Sequence, residues 1–171
     1  MMSCSHKPFD PTSHRDNDAR GKLAVIEALQ ARFPMWKAVP HQDKIGSGEY
    51  ADILILDPLT NDTVHRVEVE VKGEWKDGTQ PFSFQSFHIP ERKLKQEYDG
   101  ITLHAIVSAD ENGIFFVDRS IVERAQTVYK KCANHGTTEA FQSIIKYSTM
   151  PGRFYMKRKR RDADWQNWDG N

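Results

Sequence analysis

Apolar residues recur along this chain with two different periods. Ala19, Leu23, Ile26, Leu29 and Phe33 follow one another at helical spacing, and Pro34 ends the pattern. Asp16 or Asn17 can cap that helix. Residues 1–16 before it are polar, carry Pro8 and Pro11, and read as a flexible arm. Residues 35–39 predict a short strand, and residues 41–50, with Gly46 and Gly48, a loop. The period changes at Asp52. Ile53, Leu54, Ile55 and Leu56 are apolar on both faces, which predicts a strand inside a sheet covered on both sides. Asp57-Pro58 and Asn61-Asp62 are turn chemistry. Residues 64–75 predict the next strand, so the two segments form a hairpin. Within it Val67, Val69 and Val71 alternate with Glu68, Glu70 and Lys72, which places the two sets on opposite faces.

Beyond Gly73 the pattern is less regular. Residues 82–89 are aromatic and extended, and predict a strand or a lid. Pro90 suits the first turn of a helix running to about Tyr98. Residues 101–108 and 113–117 predict two strands joined by a turn at 109–112. Residues 120–133 predict a helix with Ile121, Val122, Ala125, Val128 and Tyr129 on its apolar side. Residues 138–147 predict a shorter helix, and the tail beyond Met156 a mobile end. The order of elements predicts the α/β class: a single domain with a mixed β-sheet flanked by helices.

Composition narrows this reading. At 171 residues, 38% hydrophobic and 28% charged, the chain suffices for one domain with a real core. No apolar run approaches the roughly 20 residues of a membrane span. The first residues lack the apolar core of a signal peptide, so a cytoplasmic, intracellular location is expected. Cys4 and Cys132 do not make a disulfide framework. Cys132 and His135 have zinc-like spacing, but nothing in the sequence brings Cys4 and His6 to them. The net charge of zero argues against coating of nucleic acid by bulk electrostatics and leaves room for a local basic cleft. Arg153, Lys157, Arg158, Lys159, Arg160 and Arg161 form the one dense basic cluster. Phe154, Tyr155, Trp165 and Trp168 lie among and after them. Such a segment is either a solubilising tail or an arm that stacks on bases. The chain divides into the arm at 1–16, a domain at 17–150 and the basic, then acidic and aromatic tail at 151–171.

The candidate chemistry lies on the hairpin. Asp52 abuts a core, where an isolated carboxylate is costly unless a cation offsets it. The plain alternative is a turn aspartate satisfied by backbone N–H groups. Glu70 and Lys72 share a strand face. Alone they suggest a solvated face with weak ion pairs; beside Asp52 they suggest a site for a divalent cation and a phosphate. Glu68 points the same way, so register does not choose between it and Glu70. Glu27 borders the buried stripe of the first helix. Arg92, Lys93 and Lys95 follow Pro90, either as a solvated face or as phosphate contacts at a helix start. There is no phosphate-binding P-loop and no dinucleotide glycine pattern. Nor is there a nucleophile elbow.

An acid at a strand start, a variable loop and then acid-x-Lys on the next strand resembles the PD-(D/E)XK nuclease superfamily. Here these are Asp52, the loop around residues 59–63, and Glu70-Val71-Lys72. Ala51 stands where that family often has proline. The resemblance covers residues 17–122. It implies a restriction-endonuclease-like core and a Mg2+ ion, with Mn2+ as substitute, held by Asp52, Glu70 and the Val71 carbonyl. It further implies that Lys72 positions the attacking water or stabilises the transition state, and that Glu27 is the acid of the preceding helix. It also prefers Glu70 over Glu68. The expected function is metal-dependent hydrolysis of phosphodiester bonds in DNA, as an endonuclease. Arg92, Lys93, Lys95, Lys157, Arg158, Lys159, Arg160 and Arg161 are then expected DNA contacts. A homodimer and a monomer both stay open. Two rivals remain: a non-catalytic nucleic-acid-binding or assembly protein with the same fold, and a domain whose charged strand face binds a protein partner.

Overall fold

The computed structural model describes residues 11–41, 51–95, 100–131, 136–145, 154–157 and 165–167. Helix α1 spans Pro11–Arg32. It starts before the caps expected at Asp16 and Asn17, so residues 11–16 are helical rather than part of an arm. Proline opens the helix without loss, because the first N–H has no intrahelical acceptor. The buried stripe is Gly21, Ala24, Val25, Ala28 and Leu29, at helical period. Leu23, expected on that stripe, is 59% exposed.

The main sheet is built from β1 (Lys37–Pro40), β2 (Ile53–Leu56), β3 (Thr63–Lys72), β5 (Leu103–Ser108) and β6 (Gly113–Asp118). Two short strands, β9 (Phe154–Lys157) and β10 (Trp165–Asn167), extend it beyond β6. The strand order is β1-β2-β3-β5-β6-β9-β10. Among the described strands only β3 and β5 run parallel, so the sheet is mixed, as expected. The hairpin β2–β3 matches the sequence pattern. Asp57 Oδ1 accepts the N–H groups of Leu59 and Thr60 at 2.8 and 3.0 Å, and Asn61 takes φ 59°, a region its short polar side chain tolerates.

The sheet has two differently covered faces. Ile53, Ile55, Val67, Val69, Ala105, Val107, Ile114 and Phe116 pack with α1. Gly21 permits the contact: a Cβ there would lie 2.6 Å from Val71 Cγ2. The opposite face meets a second sheet rather than a helical layer. That sheet is antiparallel, in the order β4-β8-β7, from β4 (Ser86–Pro90), β7 (Gln126–Lys131) and β8 (Thr138–Ile145). Phe87, Ile89 and Ile144 of the second sheet pack on Ile106, Phe115 and Val117 of the first, with Val122, Trp75 and Phe82. Burying each such side chain contributes about 1.5–3 kcal/mol. Leu54 and Leu56 are only half-buried, so β2 is fully covered on the α1 face alone.

Three expected helices are therefore corrected. Within 120–133 a six-residue helix, α2 (Arg119–Arg124), gives way at Ala125 to β7. Thr127, Val128 and Tyr129 suit a strand, and pairing with β8 overrides the helical spacing. Within 138–147 the observed burial alternates, with Gln142 and Ile144 inward, and the segment is β8. After Pro90 the expected helix is replaced at its start by one turn of 3-10 helix, Glu91–Leu94, with Lys95 extended; the rest of the expected span, 96–98, lies outside the described residues. The tail also departs from expectation: residues 154–157 and 165–167 pair with each other, and the first of them with β6.

Candidate active site

Asp52 sits where β2 begins and β3 runs on past it. Its N–H donates to the Val67 carbonyl at 2.9 Å. Its Oδ2 accepts the Val69 N–H at 2.7 Å, so the side chain adds one rung to a ladder that the backbone has left. The aspartate is 8% exposed. Oδ1 takes Lys22 Nζ at 2.7 Å, and Lys22 also holds Asp18 at 3.0 Å one turn earlier on α1. Burial opposes the charge on Lys22, but its bonds to Asp52 and Asp18 outweigh that and raise its pKa.

The alternation of β3 turns Glu68, Glu70 and Lys72 away from α1, toward β4 and the 3-10 turn. Lys72 Nζ donates to Glu70 and, at 2.6 Å, to the His88 carbonyl of β4. Lys93 Nζ lies 2.6 Å from Glu68 Oε1 and 3.8 Å from Glu70 Oε2. Burial works against charge on Glu70, yet Lys72 and Lys93 win and hold its carboxyl below the usual range. For Lys93 burial is again outweighed, by Glu70, Glu68 and Asp52, and its pKa rises. Lys93 thus feels all three carboxylates at once. Asp18, Asp52, Glu68, Glu70, Arg92 and Lys93 line one cavity of about 540 Å³, with Val71 in its wall.

The other expected site residues are dispersed. Glu27 lines a separate groove of about 230 Å³ with Arg20 and Glu111; the acid that α1 brings to the cavity is Asp18. Lys95 lines a third groove, of about 470 Å³, with Glu91 and Glu123. Arg92 is exposed at the rim, and Lys93 is inside as an ion-pair partner rather than a solvated contact. The backbone of Lys157 ends β9. Arg153, Arg158, Lys159, Arg160 and Arg161 lie outside the described residues, as do Cys4, His6, Cys132 and His135.

Three roles escape sequence reasoning: Lys93 is expected there only as a DNA contact and not as the ion-pair partner of Glu68, and Lys22 and His104 are not singled out. Lys22 and Lys93 are long side chains whose partners only the tertiary fold reveals. Lys22 does carry a signal, since it lies one turn from Asp18 at the border of the buried stripe. His104 is the third. It stands beside Glu68 in the β3–β5 register, is 3% exposed, and its Nε2 has no hydrogen-bond partner. Burial and Lys93 push its pKa down to about 4, against the opposite pull of Glu70. The imidazole is neutral at physiological pH.

The four carboxylates pair with three lysines, Asp18 and Asp52 with Lys22, Glu70 with Lys72 and Glu68 with Lys93, and Arg92 adds a positive charge at the cavity wall. Among the described residues no group of three or more His, Cys, Asp or Glu is placed to hold a metal ion by itself. Magnesium asks for less: one or two carboxylates, with waters and substrate phosphate oxygens completing its shell. Asp52 and Glu70 are hard oxygen donors on one cavity wall and suit that need in kind. Comparison of the chain with protein-family models, curated proteins and solved structures returns no match.

Proposed function

We propose that this chain is a metal-dependent nuclease of PD-(D/E)XK type acting on DNA. The observation that carries the reading is the meeting of Asp52 with β3. Its Oδ2 accepts the N–H of Val69, the residue before Glu70, and both carboxylates open onto the cavity that Lys93 and Arg92 line. The order helix, strand, hairpin, crossover and parallel strand supports the same reading.

In this reading Asp52, Glu70 and the Val71 carbonyl hold Mg2+ or Mn2+. The ion, when bound, acidifies a water and screens the charge of the scissile phosphate. Lys72 is held by Glu70 and the His88 carbonyl, so its ammonium is oriented before substrate arrives. It places the attacking water or offsets charge on the pentavalent phosphorus, where a preorganised cation is most effective. Arg92 at the rim attracts the phosphate backbone. No described helix is long and apolar enough to cross a membrane.

The non-catalytic reading keeps one observation in its favour. Each of the three strand carboxylates already has a cationic partner, which a purely structural network would also show. Plasmid nicking separates the two. The nuclease nicks with Mg2+ or Mn2+ and is silent in chelator. Shift of the plasmid without nicking in any divalent metal would favour the binding protein, and nicking in chelator would sink the metal mechanism.

A further inference from the structure

The lysines of this site are paired with the carboxylates that a metal would need. Lys93 bridges Glu68 and Glu70, and Lys22 bridges Asp52 and Asp18. The Lys93 and Glu68 side chains are each 12% exposed, so their pairing is only weakly screened by solvent. A cation entering the cavity must displace an ammonium from the carboxylates. The displaced ammonium then needs a new anion. Arg92 adds another positive charge at the same wall. A nucleic-acid phosphate is the anion that the proposed reaction supplies.

We propose that Lys93, seconded by Lys22, is an internal counter-ion that keeps the site closed to divalent cations until a phosphate backbone arrives. Free protein then binds metal weakly. Metal and DNA bind cooperatively, because the phosphate receives the ammonium groups that the metal dislodges. This rests on the nuclease reading and adds to it an order of assembly: the metal is gated by the substrate. Lys93 acts as a positioning residue through Glu68 and Glu70. Linkage requires symmetry: whatever factor DNA adds to metal affinity, metal adds to DNA affinity. Couplings of this kind are typically about 5–150-fold.

The test uses calcium as the metal and a short duplex as the DNA. Calcium binding to the full chain is followed by calorimetry, with and without duplex, and duplex binding by fluorescence anisotropy, with and without calcium. The wild-type chain should bind calcium at least about 5-fold more tightly with duplex present, and the duplex more tightly with calcium by the same factor. Lys93→Met should bind calcium about 10-fold or more tightly than wild type without DNA, and the duplex should then add less. Lys93→Arg should restore weak binding, which a merely packing role of the side chain would not require. Equal calcium affinity with and without duplex in the wild-type chain overturns the proposal and leaves the nuclease reading standing. So does an unchanged affinity in a folded Lys93→Met. Absence of calcium binding in every variant, with duplex present, overturns both. Should Lys93→Met fail to fold, the wild-type measurement decides, and Lys22→Met repeats the displacement test at Asp52.

Discussion

Lowering the pH should destabilise this fold well before its carboxylates protonate, and His104 is the reason. The imidazole is buried, its Nε2 has no partner, and Lys93 stands near it. Its pKa falls from 6.5 to about 4 in the folded chain. Below pH 6.5 the unfolded chain takes up a proton that the folded chain refuses down to about pH 4. Stability is therefore complete above 6.5 and lost progressively as the pH falls through this window. Each tenfold drop in proton affinity is worth about 1.4 kcal/mol, so the total loss is about 3 kcal/mol. Glu70 and Asp110, whose pKa values are lowered, act in the other window. They contribute stability above their unfolded pKa values, near 4.5 and 3.8, and lose it below. His88 is also shifted down, by burial, Lys130 and Lys72, and adds to the slope in the His104 window. A variant must therefore isolate His104. Urea unfolding followed by tryptophan fluorescence, at steps from neutral to about pH 4.5, would compare wild type with His104→Leu. Wild type should lose stability more steeply, by up to about 1.4 kcal/mol per pH unit. Parallel curves, or a directly titrated His104 pKa at its ordinary value, would refute the reasoning.

The other expectations follow from the same geometry. Asp52→Ala should abolish DNA cleavage in magnesium and cost about 2 kcal/mol in denaturant unfolding, because it strips an acceptor from the Val69 N–H and a partner from Lys22. This reverses the sign expected if the clustered carboxylates merely repelled one another; they are paired, and the gain from relieved repulsion is not there to be had. Lys72→Ala should lower the cleavage rate about 100-fold while leaving duplex binding in calcium nearly intact, and Lys72→Arg should not restore the rate. Equal cutting by wild type and Lys72→Ala would remove the main support for its role. Gly21→Ala should destabilise by about 1–3 kcal/mol despite the better helix propensity of alanine, since its Cβ meets Val71. Thermal melts of Gly21→Ala, Val71→Ala and the double variant should show less than additive loss.

The hairpin is legible in the sequence because two apolar strands flank unmistakable turn residues, and a period of two fixes which face each side chain takes. Val67 and Val69 face α1, and Glu68 and Glu70 face away, as alternation requires. The second sheet is not legible. Residues 126–131 and 138–145 are short, and their spacing fits either period; only the pairing of β8 with both β4 and β7 decides. Within the site, the sequence places Asp52 at a strand start and Glu68, Glu70 and Lys72 on one strand face, and prefers Glu70 over Glu68 only through the acid-x-Lys resemblance. It does not choose Asp18 over Glu27 as the cavity acid, because that depends on how α1 is rotated and seated against β3. Lys93 looks like a surface cation in the sequence, since nothing local shows that Glu68 lies beneath it.

The pairing of β9 with β6 has a consequence for solubility. Gly113–Asp118 is almost wholly apolar and buried, the kind of strand that recruits other chains when its edge is bare. Phe154–Lys157 covers that edge from Gly113 to Phe115, and Trp165–Asn167 lies outside it. The segment just before and within the basic run thus serves as a guard strand. A chain cut after Met156 ends within that guard and loses the strand beyond it, so its first defect would be self-association through β6, ahead of any loss of nucleic-acid contacts.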